Sequence, residues 1–569
     1  MTTVALTPET LAGRRNRVFA ASNERTLVSL CMSVAFIIRL FFVKYHYVIN
    51  TDGVYYATLG RRLISGDFKG GLSTYWSPLY PLLVGVSSLW FTDLEFAGRF
   101  VSVVAGAVLV LPVYLLIREF YGRAAATVGV MLVVIYPDLI QASTLVMTES
   151  VYTLVFASAL LVGWRALNGG GVWTHVSTGF LMGCCYLLKP EAAAYAGLFV
   201  VLALGTWLIE PDLRITAVTF NIVAFLLVFN VLFIPYVVYI HEKTGSWSIS
   251  RKVVNNVTQN QPPFSLSADG DSTLWDQLYG DRGVVVPPRT SASSSSFSAS
   301  SLTDRLESLR RRAGQSYRNL KTEVREMIPQ ELPYSFIILC VIGLFRSAWT
   351  RERTAQELYL SAFVGSTLLG YAVTVVDARY LLPLLPVFLC WLSHGVLEFE
   401  SWVLLTLSHF NVSPPRPRAL RMGLVTALML VLVPSIVAYA GRSKWDDLPF
   451  EHKQAGLWMK GRSPASPLIL ASGPWAAFYA GGRHLYLPSE SYSTVLSYAR
   501  RKGVDYLVVG TRCLASGDSI NNMAPGDCFR NSPLAFLLDK QQTPPGLQLL
   551  YFDEERPEDK ILVFGLRTR

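Results

Sequence analysis

From about residue 26 to residue 440 the chain is a series of long apolar stretches separated by short polar turns. A helix needs about 20 predominantly apolar residues to cross a bilayer, and shorter or proline-broken ones are tolerated inside a bundle, so the pattern predicts about eleven membrane helices. They fall near residues 26–44, 97–117, 124–137, 149–167, 175–188, 192–209, 215–240, 333–345, 356–375, 381–404 and 421–440. Tyr80 to Phe91 is apolar but too short to span, and reads as re-entrant or interfacial. Two long polar segments, 45–96 and 241–332, interrupt the series. The second holds a serine-rich run, Ser291 to Ser301, and a charged helical stretch, Leu302 to Met327; it reads as a mobile linker or as a lid over a site. After Gly441 the pattern changes. Short β-type runs at Pro467–Ser472, Asp505–Gly510, Leu547–Phe552 and Lys560–Leu566 alternate with helical spacing at His452–Arg462 and Thr494–Lys502, where Gly503 is a stop. The expected fold class is therefore a polytopic α-helical membrane protein with a small C-terminal α/β domain.

Composition agrees with the pattern: 51% of the 569 residues are hydrophobic and 16% charged, which excludes a soluble protein. The net charge of +10 does not indicate nucleic acid, because the Lys and Arg residues lie between apolar stretches and are not clustered with aromatics. They are informative about orientation instead. With the N-terminus in the cytoplasm, Arg14, Arg15, Arg17, Arg118, Arg123, Arg165, Arg214, Arg346, Arg351, Arg353, Arg416, Arg418 and Arg421 all fall on the inner side. The opposite turns are poor in basic residues. This assigns 1–25 to a cytoplasmic segment, 26–440 to a transmembrane domain with outer loops 45–96 and 241–332, and 441–569 to an extracytoplasmic domain of a multi-pass protein in the plasma (inner) membrane. The first apolar run follows a basic stretch and leads into further spans, so it reads as a membrane helix and not as a cleaved signal. Five of the seven cysteines lie in apolar stretches, as small hydrophobes; Cys513 and Cys528, in the tail, would be free to pair in an oxidising compartment.

Ionisable residues at helix ends in an apolar bundle are costly, which makes them candidates for chemistry. The assigned topology gathers Asp52, Asp138, Glu149, Lys189, Glu191, Asp377, Arg379 and Tyr380 on the outer face, although they are far apart in sequence. Carboxylates can orient or deprotonate a hydroxyl acceptor, while Lys and Arg can hold a phosphate leaving group. Each also has a plainer reading. Asp52 could cap the helix Val54–Ser65, Asp138 after Pro137 could start a turn, Lys189 could snorkel beside Glu191, and Asp377 with Arg379 could be an interfacial pair.

Several short motifs carry a resemblance. Asp52-Gly53-Val54-Tyr55-Tyr56 opens an amphipathic helix that ends at Ser65-Gly66-Asp67-Phe68. Tyr75-Trp76-Ser77-Pro78-Leu79-Tyr80-Pro81 and Gly98-Arg99-Phe100 come next. Met147-Thr148-Glu149-Ser150, Leu187-Leu188-Lys189-Pro190 and Arg379-Tyr380-Leu381-Leu382-Pro383 follow in order. Over roughly residues 25–400 the chain resembles the membrane-embedded C-type glycosyltransferases, in particular the bacterial branch similar to protein O-mannosyltransferases and the lipid A aminoarabinose transferase. The resemblance implies a polyprenyl-phosphate sugar donor and a lipid, glycan or protein hydroxyl acceptor, used at the outer face of the bilayer. It implies Asp52 as catalytic base, Lys189 and Arg379 on the donor phosphate, and Glu149, Asp138, Glu191, Tyr380, Trp76 and Tyr80 near acceptor or sugar. Where the family often carries a second acid close to the first, Gly53 and Val54 stand here, so no cofactor is fixed and a divalent metal is left open. A transporter or flippase for lipid-linked saccharides is the alternative, but no internal repeat is visible and the candidates lie at one surface, not at the midplane. A noncatalytic subunit of the same fold is a third reading, against which Asp52 argues.

Overall fold

The computed structural model describes residues 8–209, 214–250, 302–373, 377–443 apart from 414, 449–511 apart from 464, 533–553 and 559–566, together with Leu266 and Glu555. The serine-rich run, Cys513 and Cys528 lie outside the described residues.

The bundle is built from α1 (Pro8–Phe42), α4 (Leu94–Val108), α5 (Val110–Ile135), α7 (Glu149–Leu167), α8 (Val172–Leu188), α9 (Ala192–Ile209), α10 (Ile215–Thr244), α12 (Tyr334–Phe345), α13 (Arg351–Val373), α14 (Leu385–His409) and α15 (Pro417–Ala440). Between them lie α2 (Thr51–Ile64), α3 (Leu79–Ser87), α6 (Pro137–Thr144) and α11 (Leu302–Thr322). Among the described residues six helical segments are long and apolar enough to cross a membrane, and one further pair, Ala313–Glu331 with Tyr334–Phe345, is bent by 105°. α8 and α9 are shorter apolar helices.

The longest of the six, Leu94–Ile135, folds back on itself. Gly122 has φ 83° and ψ 179°, a conformation open to glycine and costly for other residues. The chain reverses there, so that Gly129 packs on the Ile117 side chain and Gly106 on Ser143. The apolar stretches near 97–117 and 124–137 are thus two antiparallel pieces. Pro137, which cannot continue a helix through its interior, stands two residues beyond the end of α5 and opens α6. The last carbonyls of α5, Val133 and Val134, accept instead from the fully buried Arg39 guanidinium of α1 at 3.0 and 3.2 Å. Small residues bring helices together elsewhere: Gly343 of α12 packs on Trp391 of α14, and Gly395 of α14 on Leu339 of α12.

The C-terminal domain adds α16 (Phe450–Lys460), β1 (Leu468–Ala471), α17 (Trp475–Ala480), β2 (Arg483–Tyr486), α18 (Tyr492–Lys502), β3 (Tyr506–Gly510), β4 (Leu547–Asp553) and β5 (Ile561–Leu566). The sheet order is β2-β1-β3-β5-β4, with β1 parallel to β2 and β3, and β5 antiparallel to β3 and β4. Successive residues of a strand point to opposite faces. Ile469, Ala471, Val508, Ile561 and Val563 accordingly pack with Ala455, Met459 and Ala476 of α16 and α17, while Leu470, Leu507, Val509, Leu562 and Phe564 pack with Val495, Tyr498 and Ala499 of α18. Gly503, at φ 68°, caps α18 in the left-handed conformation. The four anticipated strands and two anticipated helices are present; β2 and α17, of four and six residues, are additional.

Candidate active site

The helix that carries Asp52 begins one turn earlier than its apolar pattern suggests. Its N-cap is Asn50, not Asp52, which lies in the first turn. With its amide oxygen toward the Gly53 N–H (3.2 Å), Asn50 directs its amide nitrogen to the Val146 carbonyl (3.3 Å). Val146 is wedged between Gly53 and Gly98. A Cβ on Gly53 would sit 2.9 Å from Val146 Cβ, and one on Gly98 would sit 2.5 Å from Val146 Cγ1. The two glycines therefore let the segment before α7 press against α2, and Glu149, three residues on, comes to the same cavity as Asp52.

That cavity has a volume of about 380 Å³. Asp52, Trp76, Glu149, Lys189, Glu191, Arg379 and Tyr380 all line it. Lys189 and Glu149 form a buried pair, Nζ to Oε1 3.3 Å, with side chains 8% and 6% exposed. Above the ammonium lie the rings of Tyr380 (5.0 Å) and Tyr152 (5.4 Å). Arg379 reaches Asp52 Oδ2 through Nη1 at 3.7 Å and Asp377 Oδ2 through Nε at 2.9 Å, and its Nη2 donates to Tyr380 Oη at 3.3 Å. The Arg379 and Asp52 side chains remain 40% and 28% exposed, so the cavity presents an accessible carboxylate beside an accessible guanidinium, backed by a buried ion pair. Such a site can accept a hydroxyl proton and hold an anionic leaving group side by side.

Compared with solved structures, the chain is similar to the archaeal oligosaccharyltransferase AglB from Archaeoglobus fulgidus, in complex with an inhibitory peptide and a dolichol-phosphate. The TM-score is 0.59 at 14% identity, over 93% of this chain and 80% of that one. It is similar to ArnT from Cupriavidus metallidurans bound to undecaprenyl phosphate, with TM-score 0.55 at 12% identity over 94% and 97% of the two chains. A third match is AglB with Zn and sulfate, TM-score 0.57 at 14% identity over 92% and 79%. The fold is that of the membrane-embedded C-type glycosyltransferases. In sequence, residues 76–239 match the family described as dolichyl-phosphate-mannose-protein mannosyltransferase. No curated protein matches the chain.

Within this C-type fold, two residues anticipated at the site are elsewhere. Tyr80 is fully buried between α3 and α4, where its hydroxyl lies 2.8 Å from Ser102 Oγ and donates to the Gly98 carbonyl at 3.2 Å; it backs Tyr56, which lines the cavity, one layer behind. Asp138 lies in the first turn of α6, outside the cavity wall, where burial beside Glu331 pushes its carboxyl up to about 6. Trp76 is held flat against Tyr55, ring centroids 4.1 Å apart. Glu191 accepts from Tyr371 Oη at 2.5 Å, and the Tyr371 ring stacks on Tyr380 at 5.0 Å. Tyr371, with Tyr195 and Thr367, whose hydroxyls are 2.7 Å apart, was not legible as part of the site, because a hydroxyl inside an apolar helix reads as ordinary packing. Among the described residues no three His, Cys, Asp or Glu side chains converge as metal ligands, and Asp52 and Glu149 are each matched by a cation of the protein, so these side chains do not fit a metal site.

Proposed function

We propose that the cavity transfers a sugar from a polyprenyl phosphate to a hydroxyl acceptor at the outer face of the membrane, with Asp52 as general base. The reading is carried by one observation: the accessible Asp52 carboxylate stands 3.7 Å from the accessible Arg379 guanidinium, beside the buried Lys189–Glu149 pair. The acceptor O–H proton passes to Asp52 as the oxygen attacks the anomeric carbon. The bond from that carbon to the phosphate oxygen breaks, and the electron pair leaves with polyprenyl phosphate, whose charge Arg379 and Lys189 offset. Glu149 fixes the Lys189 ammonium, Glu191 and Tyr380 face acceptor or sugar, and Trp76 offers a flat apolar surface to a pyranose or furanose ring. AglB and ArnT were solved with dolichol-phosphate and undecaprenyl phosphate, which supports the choice of donor. The arginine-rich alternate turns support a cytoplasmic N-terminus and an extracytoplasmic C-terminal domain in the plasma membrane.

The test is transfer of radiolabelled sugar from a panel of hexosyl and pentosyl polyprenyl phosphates to membrane extracts, using purified protein. Incorporation from one donor names the sugar. Consumption of none, with translocation of a lipid-linked saccharide across vesicles, would replace the enzyme by a flippase. Arg379→Ala is expected to weaken donor binding about tenfold or more with little change in acceptor KM, in line with the loss of one charge-assisted contact; unchanged donor affinity contradicts its phosphate role.

A further inference from the structure

The eight residues between α1 and α2, 43–50, form no strand or long helix, yet Val48 and Ile49 are buried, and a buried backbone needs partners. Those partners come from two distant parts of the chain. From α4, Arg99 donates to the carbonyls of Val43 (3.2 Å), His46 (2.6 Å) and Val48 (3.3 Å). From the C-terminal domain, Lys453 Nζ donates to the Tyr47 carbonyl (2.5 Å), Trp475 Nε1 donates to the Ile49 carbonyl (2.9 Å), and Tyr479 Oη accepts from the Ile49 N–H (2.9 Å). Both peptide groups of Ile49, three residues before Asp52, are thus held by α17. The buried Glu95 carboxylate joins the two sets: it pairs with Arg99, accepts from Tyr479 Oη at 2.8 Å and meets Lys453 Nζ at 3.2 Å. One turn further along α2, Tyr55 Oη lies 2.7 Å from Tyr486 Oη of β2, and the Tyr55 ring is the one stacked on Trp76 of the cavity wall.

We propose that the C-terminal domain is a positioning device for the base: Trp475 and Tyr479, tied through Glu95 to Arg99 and Lys453, fix where α2 begins and so where Asp52 stands against Arg379. None of these residues lines the cavity, so they are positioning residues and not catalytic ones. The proposal rests on the assignment of Asp52 as base. A misplacement of about 1 Å in a reacting group can cost about a hundredfold in rate, which makes a clamp of this kind consequential.

The experiment uses the full chain in nanodiscs, with Tyr479→Phe, Trp475→Phe and Asp52→Asn compared with wild type for kcat, both KM values, donor affinity and the pH profile of kcat/KM. Tyr479→Phe and Trp475→Phe are expected to lower kcat about tenfold or more at unchanged donor affinity and acceptor KM, and to displace the acid limb of the profile, which reports the base. Wild-type kcat and profile in both variants, or a loss expressed only in acceptor KM, overturns the clamp. Should either variant fail to fold, Tyr55→Phe removes the Tyr486 contact and Lys453→Gln the ammonium that meets Tyr47 and Glu95, and both carry the same expectation. The two ideas fail separately: an active Asp52→Asn overturns the base, whereas an inactive Asp52→Asn beside wild-type clamp variants overturns the clamp alone.

Discussion

Asp52 and Gly53 are adjacent and do different work. Asp52 faces the cavity, while Gly53 faces the packing, where an added Cβ would lie 2.7 Å from the Asn50 side-chain amide and 2.9 Å from both Ile49 Cγ1 and Val146 Cβ. A carboxylate side chain at position 53 has no room unless Val146 moves. Gly53→Ala is therefore expected to cost about 1–3 kcal/mol through overpacking and to lower activity by separating α2 from the Glu149 segment. A thermal shift assay with a transfer assay checks it, and wild-type behaviour in both would show that the contact yields freely. The charged residues were readable because a carboxylate or ammonium at a helix end in an apolar chain is conspicuous. Tyr371, Tyr195 and Thr367 were not, since their side chains join the site only through helix rotation, which a run of apolar residues leaves undetermined. Asp138 and Tyr80 show the converse: both sit beside the right motifs, but one turns toward Glu331 and the other finds Ser102 within the core.

At the scale of elements, the apolar periods were legible and the breaks were less so. The two apolar stretches near 97–117 and 124–137 were separable by the polar turn between them, and the structure places the reversal at a single residue, Gly122. Gly122→Ala is expected to cost about 1–3 kcal/mol, because the alanine would be held in a conformation essentially reserved for glycine, with no steric neighbour within 4 Å to blame for the loss. Unfolding midpoints in detergent check this; an unchanged midpoint would mean that the turn relaxes. In the C-terminal domain β1, β3, β4 and β5 announced themselves as short β-type apolar runs, whereas β2, which opens on Arg483 and His484, and the six-residue α17 did not. α17 nonetheless supplies Trp475 and Tyr479, so a poorly legible element holds both peptide groups of Ile49, three residues before Asp52.

For the molecule as a whole, bundle and C-terminal domain act as one unit through Glu95, and the stability of the domain bears on the site. His484 of β2 is buried, and burial depresses its pKa to about 4, partly offset by the Ala471 carbonyl 3.1 Å from Nε2. An unfolded histidine titrates near 6.5, so between about pH 6.5 and 4 the unfolded state holds the extra proton. The stability conferred by burying the neutral ring is complete above about pH 6.5 and is lost as pH falls toward 4, by about 3 kcal/mol in all. Protection factors of the β2 amides, corrected for the intrinsic pH dependence of exchange, should fall over that window in the full chain, and unchanged protection factors would contradict the assignment. Because β2 also carries Tyr486, which meets Tyr55, the loosening should reach α2.

The measurement that tests the central claim most directly is a single-turnover transfer with donor already bound, comparing wild type with Asp52→Asn after donor affinity has been measured for each. With Asp52 as the base, donor affinity is equal in the two proteins and the transfer rate is lower by about a hundredfold to ten-thousandfold in the variant, the range expected when a general base is removed. Transfer by Asp52→Asn at the wild-type rate would show that the proton goes elsewhere and that Asp52 is not the base.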